Sequence, residues 1–189
     1  MLCGWLVLLL LITVSPLATW LESAMVSHVL LQLPLLAIVG MGLGVQLPLV
    51  VVEGINRVNR GGIFGCICIS YIFLFWMIPR WLDASLTSTV VAWSKYLSIV
   101  LGGLLLYLSW GKTHFVTRGV LKIECLAMLF RLGWLYLISP ARLCNSYLLS
   151  DQVSLGRGFL AIALALSVTW LIPLFWAQRQ SGRAHYTIT

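Results

Sequence analysis

The chain has 189 residues, of which 61% are hydrophobic and 9% charged, and its mean hydropathy is +1.02. That balance excludes an ordinary soluble domain. Lys and Arg number 12 against 5 Asp and Glu, a net charge of +7; the basic residues form no solvated cluster, so the excess reads first as a topology signal and no nucleic-acid partner is expected.

A hydrocarbon core about 30 Å thick takes roughly 20 apolar residues in a helix. Six runs of this kind follow one another along the chain. The first covers 2–20. The segment Ser15-Pro16-Leu17-Ala18 offers small residues near a cleavage point for a signal peptide, but no Lys or Arg precedes Arg57, and a retained first span is expected. The second run covers 24–45, with an apolar tail to Val52, and contains Pro34, Gly40, Gly42, Gly44 and Pro48, which predict a kink or break. Such a break suits an unwound segment lining a transporter cavity, or a tilted span followed by a short interfacial helix carrying Glu53, Arg57 and Arg60. The third run covers 62–78, the fourth 89–110, the fifth 119–139 and the sixth 158–176. All are continuous, unlike the alternating strands of a membrane barrel. The expected fold is therefore an all-α polytopic transmembrane helical bundle of about six spans with short loops, a single integral-membrane domain over 1–189.

With the N-terminus inside, the inner loops hold Arg57, Arg60, Lys112, Arg118, Lys122, Arg179 and Arg183, and the outer side holds Arg80, Lys95, Arg142 and Arg157. The bias places both termini in the cytoplasm. Trp20, Trp76, Trp81 and Trp93 then mark the outer boundary and Trp110, Trp170 and Trp176 the inner one, as amphipathic rings do at interfaces.

Polar chemistry is scarce enough to enumerate. Cys66 and Cys68 point about 200° apart on a helix and make a poor chelate; Cys144 lies in an outer loop without an evident disulfide partner. Of His28, His114 and His185 only His28 falls in a span, so bis-histidine haem is not expected from this chain. Met25 and His28 lie one turn apart, about 60° around the helix, and present thioether and imidazole donors suited to a soft ion such as Cu(I). Glu22 precedes them and is expected to meet the helix dipole. Asp83, Lys95, Tyr96, Asp151 and Gln152 fall on the same outer side, where Ser150 and Asp151 can cap the last helix and Lys95 can snorkel outward. Arg131 sits near the middle of the fifth run, where a cation is costly unless paired or hydrated; Glu124, seven residues earlier, is about 10 Å away along the axis.

Two segments carry a resemblance. Ser23-Ala24-Met25-Val26-Ser27-His28-Val29-Leu30-Leu31, followed by Leu33-Pro34, is similar to the His-Met-x-x-His helix start of the CtaG-type proteins of cytochrome c oxidase assembly and copper delivery. Asp151-Gln152-Val153-Ser154-Leu155-Gly156-Arg157-Gly158 resembles that family's Asp-Gln-x-x-x-Gly-Gly entry into a late helix. Two departures stand out: Ala24 replaces the first His, and the fourth run offers Trp93, Ser94, Lys95 and Tyr96 where a histidine-rich pattern would be expected. The family is usually built from seven spans against the six read here.

The resemblance implies a non-catalytic protein of the bacterial inner membrane, working in oxidase assembly with respiratory oxidase subunits as partners and copper at His28 and Met25 on the outer face. Asp151 and Gln152 would order the last helix beside them. The alternative expectation is a small transporter or channel, or a membrane-anchor subunit, using Arg131 and the kinked second span. No nucleophile–base pair, phosphate-binding glycine loop or paired carboxylates point to an enzyme.

Overall fold

The structure is a computed structural model that describes residues 2–14 and 16–186, with side chains as far as Ile172. Ser15 of the cleavage motif and the side chains of Trp176, Arg179 and Arg183 from the inner group lie outside the described residues. Those that are described form nine helices and no strands, as expected where a backbone in hydrocarbon must satisfy its own hydrogen bonds. They are α1 (Leu2–Thr13), α2 (Pro16–Glu22), α3 (Met25–Gly44), α4 (Leu49–Val58), α5 (Ile63–Trp76), α6 (Pro79–Thr87), α7 (Thr89–Trp110), α8 (Phe115–Ile138) and α9 (Leu149–Tyr186).

α3, α7 and the Leu149–Ile172 part of α9 are each long and apolar enough to cross a membrane, and counting two bent pairs as single spans raises the number to five. One pair is α1 with α2. The first apolar run is not a straight helix: it bends by 55° because Pro16 cannot continue a helix but can open one. The other pair is α4 with the Arg60–Trp76 segment, bent by 64° through Gly61 and Gly62, whose φ values of 69° and 74° are unfavourable to any residue with a Cβ. Asn59 fixes this turn by accepting from the Gly65 amide at 2.9 Å and donating to the Ser109 hydroxyl at 2.8 Å. α8 has the length of a span at 24 residues, but Lys122, Glu124 and Arg131 charge its middle.

The second run, for which a kink or break was expected, is one helix as far as Gly44. α3 passes through a π segment at His28–Gln32 immediately before Pro34, whose ring and missing N–H disturb the preceding turn, and it then continues past Gly40 and Gly42 to Gly44. The chain turns only beyond that point, and α4 follows as a short helix with no buried residue carrying Glu53 and Arg57. α9 also differs from expectation: it begins at Leu149 rather than near 158, so Ser150 and Asp151 lie inside its first turn and not ahead of it. α6 has no counterpart among the apolar runs because Asp83, Ser85 and Thr87 interrupt it.

α3 and α7 make the most extensive helix pair, followed by α8 with α9 and by α5 with α7. The α3–α7 seam is closed by two glycines. A Cβ added at Gly40 would overlap the Val100 carbonyl, and one at Gly103 would overlap the Ala37 carbonyl, so the backbones touch as small residues allow within membranes. Above this seam Met25, Val29, Leu36, Val39, Ile99, Leu155 and Phe159 join the common core.

Gly103→Leu should destabilise the protein by about 3 kcal/mol or more, because backbone cannot yield as a side chain does. Gly4→Leu, placed where an added Cβ meets nothing within 4 Å, should leave thermal unfolding in detergent unchanged. Equal midpoints for the two variants would refute the close contact.

Candidate functional site

One end of the bundle carries the connections from α2 to α3, from α5 through α6 to α7, and from α8 to α9. At that end the few polar residues of the chain meet. Glu22 closes α2; His28 and Gln32, four residues apart, lie on one face of α3; Lys95 and Tyr96 come from the first turns of α7; and Tyr147 comes from the loop before α9. His28, Gln32 and Lys95 are each fully buried, at 0% exposure.

Glu22 Oε1 is the common acceptor. It receives the Tyr96 hydroxyl at 2.5 Å, the Lys95 ammonium at 3.1 Å and the Gln32 amide at 3.1 Å. The Lys95–Glu22 contact is the only ion pair among the described residues. The Gln32 amide also donates to the Ile12 carbonyl at 3.2 Å, which ties α1 to the group; Gln32 Oε1 is buried without a partner. Lys95 reaches His28 Nε2 at 2.7 Å, and His28 Nδ1 meets the Tyr147 hydroxyl at 2.8 Å.

The hydrogen bonds assign the tautomer. Tyr147 donates its one proton to the Glu22 carbonyl at 2.9 Å, so its oxygen is left to accept, and His28 must donate from Nδ1. Nε2 then carries the lone pair that receives a Lys95 proton. Glu22, Lys95, His28 and Tyr147 thus close a ring of hydrogen bonds with one carboxylate, one ammonium and one neutral imidazole. Burying an ammonium is tolerable only with such pairing.

A second group sits beside the first. Asp83 on α6 accepts from the Ser146 amide at 2.9 Å. Burial pushes its carboxyl up, but the hydrogen bonds from the Ser146 hydroxyl and the Ser146 and Asn145 amides prevail and hold it below the usual carboxylate range. Burial, followed by the charge of Asp83, raises the Cys144 thiol to about 12. Burial first, and then Glu22, Cys144, Asp83 and Asp151, raise the Tyr147 hydroxyl, which keeps it protonated as a donor. Gln152 on α9 is buried and accepts from the Leu143 amide at 2.9 Å while donating to the Tyr136 carbonyl at 3.3 Å. It thereby folds the loop that delivers Tyr147.

Of the residues read from sequence, Lys95 and Tyr96 meet Glu22 directly and Lys95 also meets His28. Asp83, Asp151 and Gln152 surround Tyr147 without joining the ring. Lys95 does not snorkel outward but points into the bundle, because Glu22 and His28 supply acceptors there. Glu22 does not cap α3, whose N-cap is Ala24 with no side-chain hydrogen bond; its carboxylate accepts from Lys95 and Tyr96 on α7 and from Gln32. Arg131 is exposed on α8, and Glu124 pairs instead with the Ser70 hydroxyl at 2.8 Å. Gln32 and Tyr147 were not read as site residues. Gln32 carries a recoverable signal, an amide four residues after His28 in an otherwise aliphatic face, whereas Tyr147 is placed by a loop.

The resemblance implies copper, and this arrangement does not fit it. Both His28 nitrogens are engaged, Nε2 by an ammonium that would repel a metal cation. No group of three or more His, Cys, Asp or Glu able to hold a metal occurs among the described residues. Known protein families, curated proteins and solved structures show no match to this chain.

Lys95→Met should cost about 3 kcal/mol of stability by leaving the Glu22 carboxylate without its counter-ion. Lys95→Met/Glu22→Gln should recover much of it, and additive losses in a denaturant double-mutant cycle would argue against the pair. In Cu(I) titrations, wild type and His28→Ala/Met25→Ala should take up equal metal, and Lys95→Met, which frees Nε2, should take up more; tighter binding by wild type than by the double alanine variant would restore a copper site.

Proposed function

We propose that this chain is a non-catalytic, polytopic protein of a bacterial inner membrane that acts by binding a partner membrane protein within the bilayer, in the manner of an assembly factor or anchor subunit. In this reading six spans cross the membrane, α8 among them, with both termini cytoplasmic and the Lys95 end facing outward. The excess of Lys and Arg on the opposite side supports the orientation.

Exposure of Arg131 carries the proposal. It stands on the outward surface of α8 beside Phe130, Trp134, Leu135 and Ile138, which are 38%, 65%, 44% and 59% exposed. An arginine facing hydrocarbon alone costs about 3 kcal/mol on insertion scales, and no described residue of the chain pairs with it. A neighbouring transmembrane helix bearing a carboxylate at that depth would remove the cost, and the apolar residues around it would pack against the same helix. The resemblance to oxidase-assembly proteins suggests a respiratory oxidase subunit as that partner. We give copper no step in this proposal, since both His28 nitrogens are hydrogen-bonded.

We rank the transporter reading, which uses Arg131 and the kinked second span, second, because Arg131 is exposed on α8.

A photo-crosslinker at Trp134 in native membranes should capture a transmembrane segment that contains Asp or Glu. Arg131→Leu should abolish the adduct without lowering the thermal midpoint of the purified protein, and Arg131→Lys should retain part of it. A cross-link of undiminished yield in Arg131→Leu would dismiss the proposal.

A further inference from the structure

The α8–α9 hairpin packs against the start of α3, and beyond that contact a cavity of about 700 Å³ remains between the hairpin and α3, α5 and α7. That volume lies within the range of about 300–1,000 Å³ typical of small-molecule sites. Its wall is largely apolar, with Leu33, Ile72, Phe73, Leu129 and Phe159 among its residues, and Lys122 and Glu124 are the charged side chains among those lining it. Along α7 it runs from Ile99 to Trp110, about 16 Å at a helical rise of about 1.5 Å per residue. This is close to one leaflet's share of a hydrocarbon core about 30 Å thick.

The end at Trp110 is basic. Lys122 Nζ lies 5.3 Å from the Trp170 ring centre, and the Arg118 guanidinium stands 5.5 Å from that of Trp110, both rings belonging to the cavity wall. Arg118 and Lys122 are four residues apart and share a face of α8. Arg118 makes a hydrogen bond to the Gly111 carbonyl at 3.3 Å, but its Nε is buried and unpartnered. Neither cation has an ion pair among the described residues. Glu124, the one anion of the wall, is held by Ser70 and lies deeper, which favours an incoming anion on the Arg118 side of Lys122.

We propose that this cavity binds one anionic phospholipid of the surrounding membrane, with its phosphate between Arg118 and Lys122 and one acyl chain along the apolar wall toward Ile99. Arginine supplies the planar, multiple-donor recognition that phosphate oxygens favour, and basic pockets between transmembrane helices recognise anionic headgroups. The site is independent of the His28 ring and of the Arg131 surface.

Full-length protein, delipidated in detergent and then mixed with phosphatidylcholine vesicles with or without phosphatidylglycerol, can be assayed by native mass spectrometry and thermal unfolding. Wild type should retain one phosphatidylglycerol per chain and unfold at a higher temperature with it, while phosphatidylcholine is lost. Arg118→Gln/Lys122→Gln should weaken phosphatidylglycerol binding about thirtyfold, the effect of two cations near a headgroup. Gly102→Leu, at a wall position where an added Cβ meets Ile72 at 3.6 Å in ordinary contact, should fill the cavity and reduce retention with the cations intact. Equal retention of both lipids, equal protection by inorganic phosphate alone, or unchanged phosphatidylglycerol binding in either variant would overturn the proposal.

Discussion

The Lys95 ammonium is the constraint from which the organisation of one whole end of the bundle follows. A cation at 0% exposure cannot be left without acceptors in a medium of low dielectric. Its two acceptors come from helices remote in sequence: Glu22 ends α2 and His28 lies in the π segment of α3. Satisfying them recruits the rest. Glu22 draws in Tyr96 and Gln32, His28 draws in Tyr147, and Tyr147 requires the loop that Gln152 and Asp83 hold in place. In a bilayer, where burial of apolar surface gives helices little reason to prefer one another over lipid, such polar links and close backbone contacts specify the arrangement. The Lys95 network at one end and the close approach of Gly40 to Val100 and of Gly103 to Ala37 together align α3 with α7.

Much of this was readable before any coordinates. Continuous apolar runs located the helices, because a hydrocarbon environment permits few other structures. α3 and α7 fall within a residue of their runs. Scarcity of charge singled out Glu22, His28 and Lys95, since a polar residue retained in so apolar a chain must be accommodated somewhere. The direction of Lys95 was not readable: a lysine near a helix end can reach outward to the interface or inward to an acceptor, and the choice rests on where α2 and α3 bring their side chains. Pro16 and Pro34 look alike in sequence yet act differently. Pro16 starts a new helix, whereas Pro34 follows a widened turn that absorbs its missing donor. Arg131 was recognisable as anomalous, but only the packing of α8 against α9 determines that it faces away from the bundle.

Three parts of the molecule consequently have separate physical characters. The Lys95 end is closed by charge-assisted hydrogen bonds and has little room to admit a ligand without breaking them. The opposite half contains empty apolar volume with basic residues at its margin. The outer surface of α8 presents a cation amid large apolar side chains. α8 carries residues of the last two regions, but Arg118 and Lys122 stand nine or more residues before Arg131 on it, so a substitution in one region can be expected to leave the other two largely intact.

The π segment at His28–Gln32 also makes α3 a keyed shaft. Its first turns set the angle at which His28 and Gln32 meet Lys95 and Glu22; its last turns set the angle at which Gly40 meets Val100. Removing a single residue between these points would turn everything downstream by about 100°, carrying Gly40 off the seam while His28 stayed in place. The length of this segment is therefore itself information about the fold, in the sense that no change of side chain can compensate for a change in residue count.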